Sequence, residues 1–129
     1  MRQIVVSFAG LLLAAGCSSI FGLDQRSVIL PISQVDAPST VAPSASFNVT
    51  FTVASGGCKR FVRLETTKTD RVLTAVARGT EPTGKNIVCT TDIRYDTVVE
   101  VVAPPITDPF SIVAERPDGT ETTMQVRVQ

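Results

Sequence analysis

Histidine and tryptophan are both missing from this chain of 129 residues. Without histidine there is no Ser-His-Asp triad, no Cys-His dyad, no imidazole-ligated zinc and no histidine switch near neutral pH. Aromatic side chains are scarce, with one Tyr and six Phe, so there is little material for a platform that stacks bases or sugars. Neither sign of charge is in excess, since twelve Lys and Arg balance twelve Asp and Glu. The basic footprint of a nucleic-acid binder is therefore absent, and no nucleic-acid partner is expected. A disordered acidic tail is equally disfavoured, because 43% of the residues are hydrophobic. The length suits one domain with a core of moderate size.

What is present begins with the amino-terminal segment. Arg2 supplies a positive charge, and the apolar run Ile4-Val5-Val6-Ser7-Phe8-Ala9-Gly10-Leu11-Leu12-Leu13 follows it. Ala14-Ala15-Gly16 then lead to Cys17, and the polar Ser18, Ser19 and Asp24 come soon after. As a helix, residues 4–15 would rise only about 18 Å, against a hydrocarbon core of about 30 Å. The order of charge, short apolar run and small residues is that of an export signal rather than a membrane span.

The stretch Leu13-Ala14-Ala15-Gly16-Cys17 resembles the lipobox of bacterial lipoproteins. Small residues before the cysteine let a peptidase approach the backbone, and the Cys17 sulfur is the atom that resemblance would have acylated. The family most often carries Leu at the third position before the cysteine, where this chain has Ala14. The resemblance implies a signal peptide over 1–16, a lipidated amino terminus with a tether over 17–27, and a domain over 28–129. It implies an envelope location, and Ser18 after the cysteine favours an outer membrane where the cell has one, with the domain facing the periplasm or the exterior. Two or more acyl chains hold a protein stably at a bilayer, where one does so only marginally.

Cysteine parity fits this organisation. If Cys17 takes lipid, Cys58 and Cys89 remain as an even pair in an oxidising compartment, where a disulfide is expected. The alternatives are two free thiols, or redox or metal chemistry. A redox pair normally stands two residues apart, and soft metals would want further ligands.

From Val28 onward the hydrophobic pattern has a period of two. Phe47-Asn48-Val49-Thr50-Phe51-Thr52-Val53 alternates without a break, as a half-buried strand does. Further strands are expected at 28–35 (kinked at Pro31), 60–67 (with Val62 and Leu64 on one face and Phe61, Arg63 and Glu65 on the other), 71–77 (ended by Arg78-Gly79-Thr80) and 86–93. The Val-rich stretch 95–102 predicts a strand near the centre of the core, stopped by Pro104-Pro105. A last hairpin joins 110–115 to 120–128 through Arg116-Pro117-Asp118-Gly119, with Met124, Val126 and Val128 on one face. Seven to eight short strands with no helical period predict an all-β fold. Over residues 28–129 the pattern resembles an antiparallel immunoglobulin-like β-sandwich, with a small β-barrel as the alternative. The core tryptophan of antibody-type domains is missing.

Chemistry-bearing motifs are few. Lys59, Arg60 and Arg63, with Arg71 and Arg78, make a possible basic patch for an anionic polymer or lipid headgroup, but Glu65, Asp70 and Glu81 are interleaved. Arg63 and Glu65 are placed to pair with neighbours instead. Asp92 and Asp96 are too few for a calcium site, which wants six or more oxygens. Asn48-Val49-Thr50 matches the glycosylation sequon, although strand patterning explains it as well. There is no phosphate-binding glycine loop and no nucleophile elbow. No catalytic residue, metal or cofactor is expected. The sequence points to a non-catalytic binding module, anchored to a membrane by its amino-terminal lipid and contacting an envelope protein partner. A structural accessory of an envelope complex is one alternative. A protease-inhibitor-like sandwich presenting 79–85 and 103–108 is the other.

Overall fold

The structure, a computed structural model, describes residues 24–129. The expected signal segment 1–16, the lipidation site Cys17 and most of the expected tether lie outside the described residues. Nine strands follow in order: β1 (Gln25–Leu30), β2 (Ile32–Asp36), β3 (Thr40–Val41), β4 (Phe47–Gly56), β5 (Arg60–Lys68), β6 (Val72–Pro82), β7 (Ile93–Val102), β8 (Phe110–Glu115) and β9 (Glu121–Val128). They form two sheets and no closed barrel. In the larger sheet, β5 lies along one edge of β6. The opposite edge of β6 is shared, with β1 pairing 77–82 and β8 pairing 72–75. Strands β9 and β3 follow β8. The smaller sheet has the order β2-β4-β7.

Alternation decides the interior. Phe47, Val49, Phe51 and Val53 of β4 are buried, while Asn48 faces solvent and Thr50 and Thr52 are half-buried. They meet Leu73, Ala75 and Ala77 of β6, Phe110 and Ile112 of β8, and Val126 and Val128 of β9. Phe47 and Phe110 cross the layers edge to face, with centroids 5.9 Å apart.

Pro31 does more than kink an edge strand. It divides the expected strand into two halves that join different sheets, β1 pairing with β6 and β2 with β4. Proline lacks the ladder N–H and bends the path, so the chain crosses between the layers there. β1 already begins at Gln25, three residues before the expected start of the domain.

Not all pairings are antiparallel: β6 with β8 and β3 with β9 run parallel. Between β6 and β8 the chain crosses to the small sheet and returns through β7. A long crossover of this kind allows a parallel neighbour, whereas a tight turn does not.

Local irregularities explain three further differences. A bulge between Phe61 and Arg63 shifts the parity of β5, so Phe61 and Leu64 pack inward together and Val62 is left 52% exposed. Gly79 does not end β6, which continues to Pro82. A Cβ at Gly79 would stand 2.7 Å from Leu30 Cδ1 and 2.5 Å from the Arg60 carbonyl oxygen, so the glycine admits a close approach inside the strand. Residues 86–92 form no strand, and β7 starts only at Ile93. The closing hairpin is as expected: Arg116 N–H donates to the Thr120 carbonyl at 2.8 Å, and Gly119 takes a φ of 85°.

Candidate interaction surface

Cys58 and Cys89 form a disulfide, with Cα atoms 5.1 Å apart and a sequence separation of 31. It fastens the β6–β7 connection to the turn that joins β4 to β5. The same connection is held by Gly57 N–H, which donates to the Asp92 carbonyl at 3.0 Å. Gly56 takes a φ of 131°, and a Cβ there would overlap the Asp92 carbonyl. Glycine is thus required where the two backbones meet.

Beside the disulfide lies an open cleft of about 600 Å³, lined by Lys59, Arg60, Arg94, Asp92, Asp96 and Tyr95 among others. Two residues of the sequence-based basic patch, Lys59 and Arg60, reach it. The third does not. Arg63 lies on the outer face of the larger sheet, where its guanidinium donates to Glu65 at 2.7 Å and Arg78 donates to the same carboxylate at 3.0 Å. These hydrogen bonds, Arg63 first and Arg78 second, hold the Glu65 carboxyl below its ordinary value. In the cleft the two aspartates offset the basic residues, so its lining carries both signs. Among the described residues no group of three or more His, Cys, Asp or Glu side chains gathers to hold a metal.

The loops considered for protease inhibition are separated. The 79–85 segment is largely strand and lies at the disulfide end, where Arg60 faces Thr80. The 103–108 segment lies at the other end, where Thr107 N–H donates to the Asp70 carbonyl and Lys68 Nζ donates to the Pro105 carbonyl.

The feature that sequence reasoning missed is β7. It pairs residue for residue with β4 from Phe47–Val102 to Gly56–Ile93. Partners across a ladder share a face, so Val102, Glu100, Val98, Asp96 and Arg94 lie on the inner side with Phe47, Val49, Phe51, Val53 and Ser55. The outer side then carries Ile93, Tyr95, Thr97, Val99 and Val101. Of these, Ile93, Tyr95, Val99 and Val101 are 67%, 63%, 54% and 63% exposed. The expectation of a strand at the core centre is therefore corrected: of the ten residues of β7, only Val102 is fully buried. The reason is position. β7 is the edge of the smaller sheet and lies over β5, itself the edge of the larger one, where Thr66 Oγ1 donates to Glu100 Oε1 at 2.9 Å.

No known protein family pattern matches the chain, and neither a curated protein nor a solved structure shows significant similarity to it. Among the described residues β7 thus presents an unpaired edge of main-chain N–H and C=O groups beside an exposed apolar face.

The signal in the sequence was the parity of the charges. Arg94, Asp96 and Glu100 all fall on one face, which leaves Ile93, Tyr95, Val99 and Val101 on the other. Which face turns inward was fixed by register with β4, and that is not written in β7 itself.

Proposed function

We propose that this chain is a bacterial lipoprotein, anchored in the cell envelope through acyl chains on Cys17 and serving as a non-catalytic protein-interaction module. The reading is carried by one observation: Arg2, the apolar run, Ala14-Ala15-Gly16 and Cys17 occur in the order and spacing of a lipobox. The Cys58–Cys89 disulfide supports it, since such bonds persist in oxidising compartments outside the cytoplasm. The exposed apolar side of β7 supports the interaction role. The finer architecture we assign is immunoglobulin-like. An edge strand that changes sheets at Pro31 and a short β3 lying parallel to the last strand support that assignment.

Metabolic labelling with a tagged fatty acid tests the anchor. The wild-type protein takes up label and sediments with membranes, and Cys17→Ser abolishes both. A Cys17→Ser protein that stays labelled and membrane-bound overturns the reading, as does a native product with an unacylated amino terminus.

A further inference from the structure

We propose that β7 is a homodimerisation strand: two copies of the chain join antiparallel, edge to edge, about a twofold axis through Thr97. The proposal deepens the interaction-module reading by naming the partner of its contact surface, and it does not depend on the lipid anchor.

The inner face of β7 poses a problem that self-pairing solves. Arg94 and Glu100 point to the inner side of an edge strand, and neither has an ion-pair partner among the described residues. Among the described residues Glu100 accepts only the Thr66 hydroxyl. In a twofold antiparallel pairing centred on Thr97, Arg94 of one copy stands opposite Glu100 of the other, twice over by symmetry. On the outer face Ile93 meets Val101, Tyr95 meets Val99, and Thr97 meets its own copy. These are the aromatic, β-branched and opposite-charge cross-strand pairs that stabilise antiparallel ladders. The paired stretch covers residues 93–101, nearly the whole strand.

Neighbouring registers fail. Antiparallel partners share a face, so a twofold pairing that keeps both inner faces together must be centred on a residue of β7. Centring on Asp96 sets two aspartates opposite each other. Centring on Val98 sets Asp96 opposite Glu100, again two like charges. Centring on Tyr95 does place Arg94 opposite Asp96, but it leaves only residues 93–97 of the strand paired. Centring on Val99 opposes no charged pair and leaves Arg94 outside the ladder, so among registers that pair more than residues 93–97 only Thr97 sets opposite charges together; the product is a continuous six-stranded sheet, β2-β4-β7 followed by the partner's β7-β4-β2. An edge strand that is long, β-branched and apolar outward is otherwise an aggregation hazard. A closed dimer consumes that edge.

The register is testable by crosslinking of the full chain carrying Cys17→Ser, so that Cys58–Cys89 accounts for the remaining native cysteines. Directly opposed Cα atoms in an antiparallel pair stand about 4.5–5.5 Å apart, within the span of about 4.4–6.8 Å that a disulfide needs. Thr97→Cys should therefore form a reducible covalent dimer as the main product of mild oxidation. Ile93→Cys alone should stay monomeric, because its copies lie about 27 Å apart along the ladder. Mixing Ile93→Cys with Val101→Cys should restore the dimer. In light scattering, Arg94→Glu should shift the protein from dimer to monomer, and adding Glu100→Arg should return it. A chain that is monomeric at all accessible concentrations overturns the proposal, and so does Thr97→Cys crosslinking no faster than Ile93→Cys. Failure here, with a different membrane protein captured through β7, would end self-pairing and leave the interaction module standing. Failure of lipid labelling would leave the dimer untouched.

Discussion

β4 and β7 are neighbours of equal length, ten residues each, paired along their whole extent and both alternating with a period of two. Yet Phe47, Val49, Phe51 and Val53 of β4 are buried, whereas β7 buries Val102 alone. β7 carries Arg94, Asp96 and Glu100 where β4 has no charge, yet the valines of β7 alone do not say which face turns inward. Layer position does. β4 is the central strand of its sheet and faces the middle of the larger one. β7 lies at the margin, where the opposite layer offers only the edge strand β5. The same pattern therefore builds a core in one place and an accessible face in the other. The outer faces of the two sheets differ in the same sense: the larger carries the Arg63–Glu65–Arg78 cluster, and the smaller carries the apolar side of β7.

The largest effect should come from testing the two strands against each other. Phe51→Ala removes a fully buried ring and should cost about 3–5 kcal/mol in chemical denaturation. Val101→Ala, on the adjacent strand, should change monomer stability by less than about 0.5 kcal/mol. Should Val101→Ala prove as costly as Phe51→Ala in a monomeric protein, β7 packs with its other face inward and the contrast is void.

Next in size is the disulfide, which ties the start of the β7 connection to the end of β4. By the chain-entropy model, closing a loop of about 32 residues contributes roughly 3–4 kcal/mol. The double variant Cys58→Ala/Cys89→Ala should lower Tm by more than about 10 °C. Losses in hydrogen-exchange protection should concentrate in the β6–β7 connection and the adjoining end of β7, while the buried middle of β4 keeps its protection longest. Uniform loss along both strands would show that the bridge does not favour β7 over its neighbour.

How much of this was legible beforehand follows from the same contrast. The strand identity of 47–53, the closing hairpin at Pro117-Asp118-Gly119 and the pairing of Cys58 with Cys89 rest on local pattern or simple parity, and the sequence displays both. The passage of the chain between sheets at Pro31, the bulge that turns Phe61 inward, and the glycine at 79 beneath Leu30 depend on what lies across the ladder. For β7 the two faces could be sorted by the charges at Arg94, Asp96 and Glu100, but not assigned to inside or outside. That assignment comes from the pairing of Val102 with Phe47, which lies on another strand far earlier in the sequence. The alternation of β5 already placed Arg63 and Glu65 to pair with neighbours, but Arg78 as the second donor to Glu65 comes from the β5–β6 register.

The smallest expected effect sharpens the contrast between the two outer faces. Glu65 accepts hydrogen bonds from Arg63 and Arg78, which lower its pKa from an ordinary value near 4.5. A folded-state pKa below the unfolded one means that the group contributes stability above the ordinary carboxylate range, and that the contribution is lost as pH falls through the shifted value. Glu65→Gln should therefore be slightly less stable than wild type at neutral pH, and the two thermal midpoints should converge on acidification. The difference should be small, because the cluster is exposed to solvent, and it should shrink further with added salt. Variants on the outer face of β7, such as Val99→Thr, should show no such dependence, since no ionisable group lies on that face between Ile93 and Val101 apart from the Tyr95 phenol. A Glu65→Gln difference that persists unchanged in acid would mean that the carboxylate charge contributes nothing there, and that the larger sheet's outer face is held by packing alone.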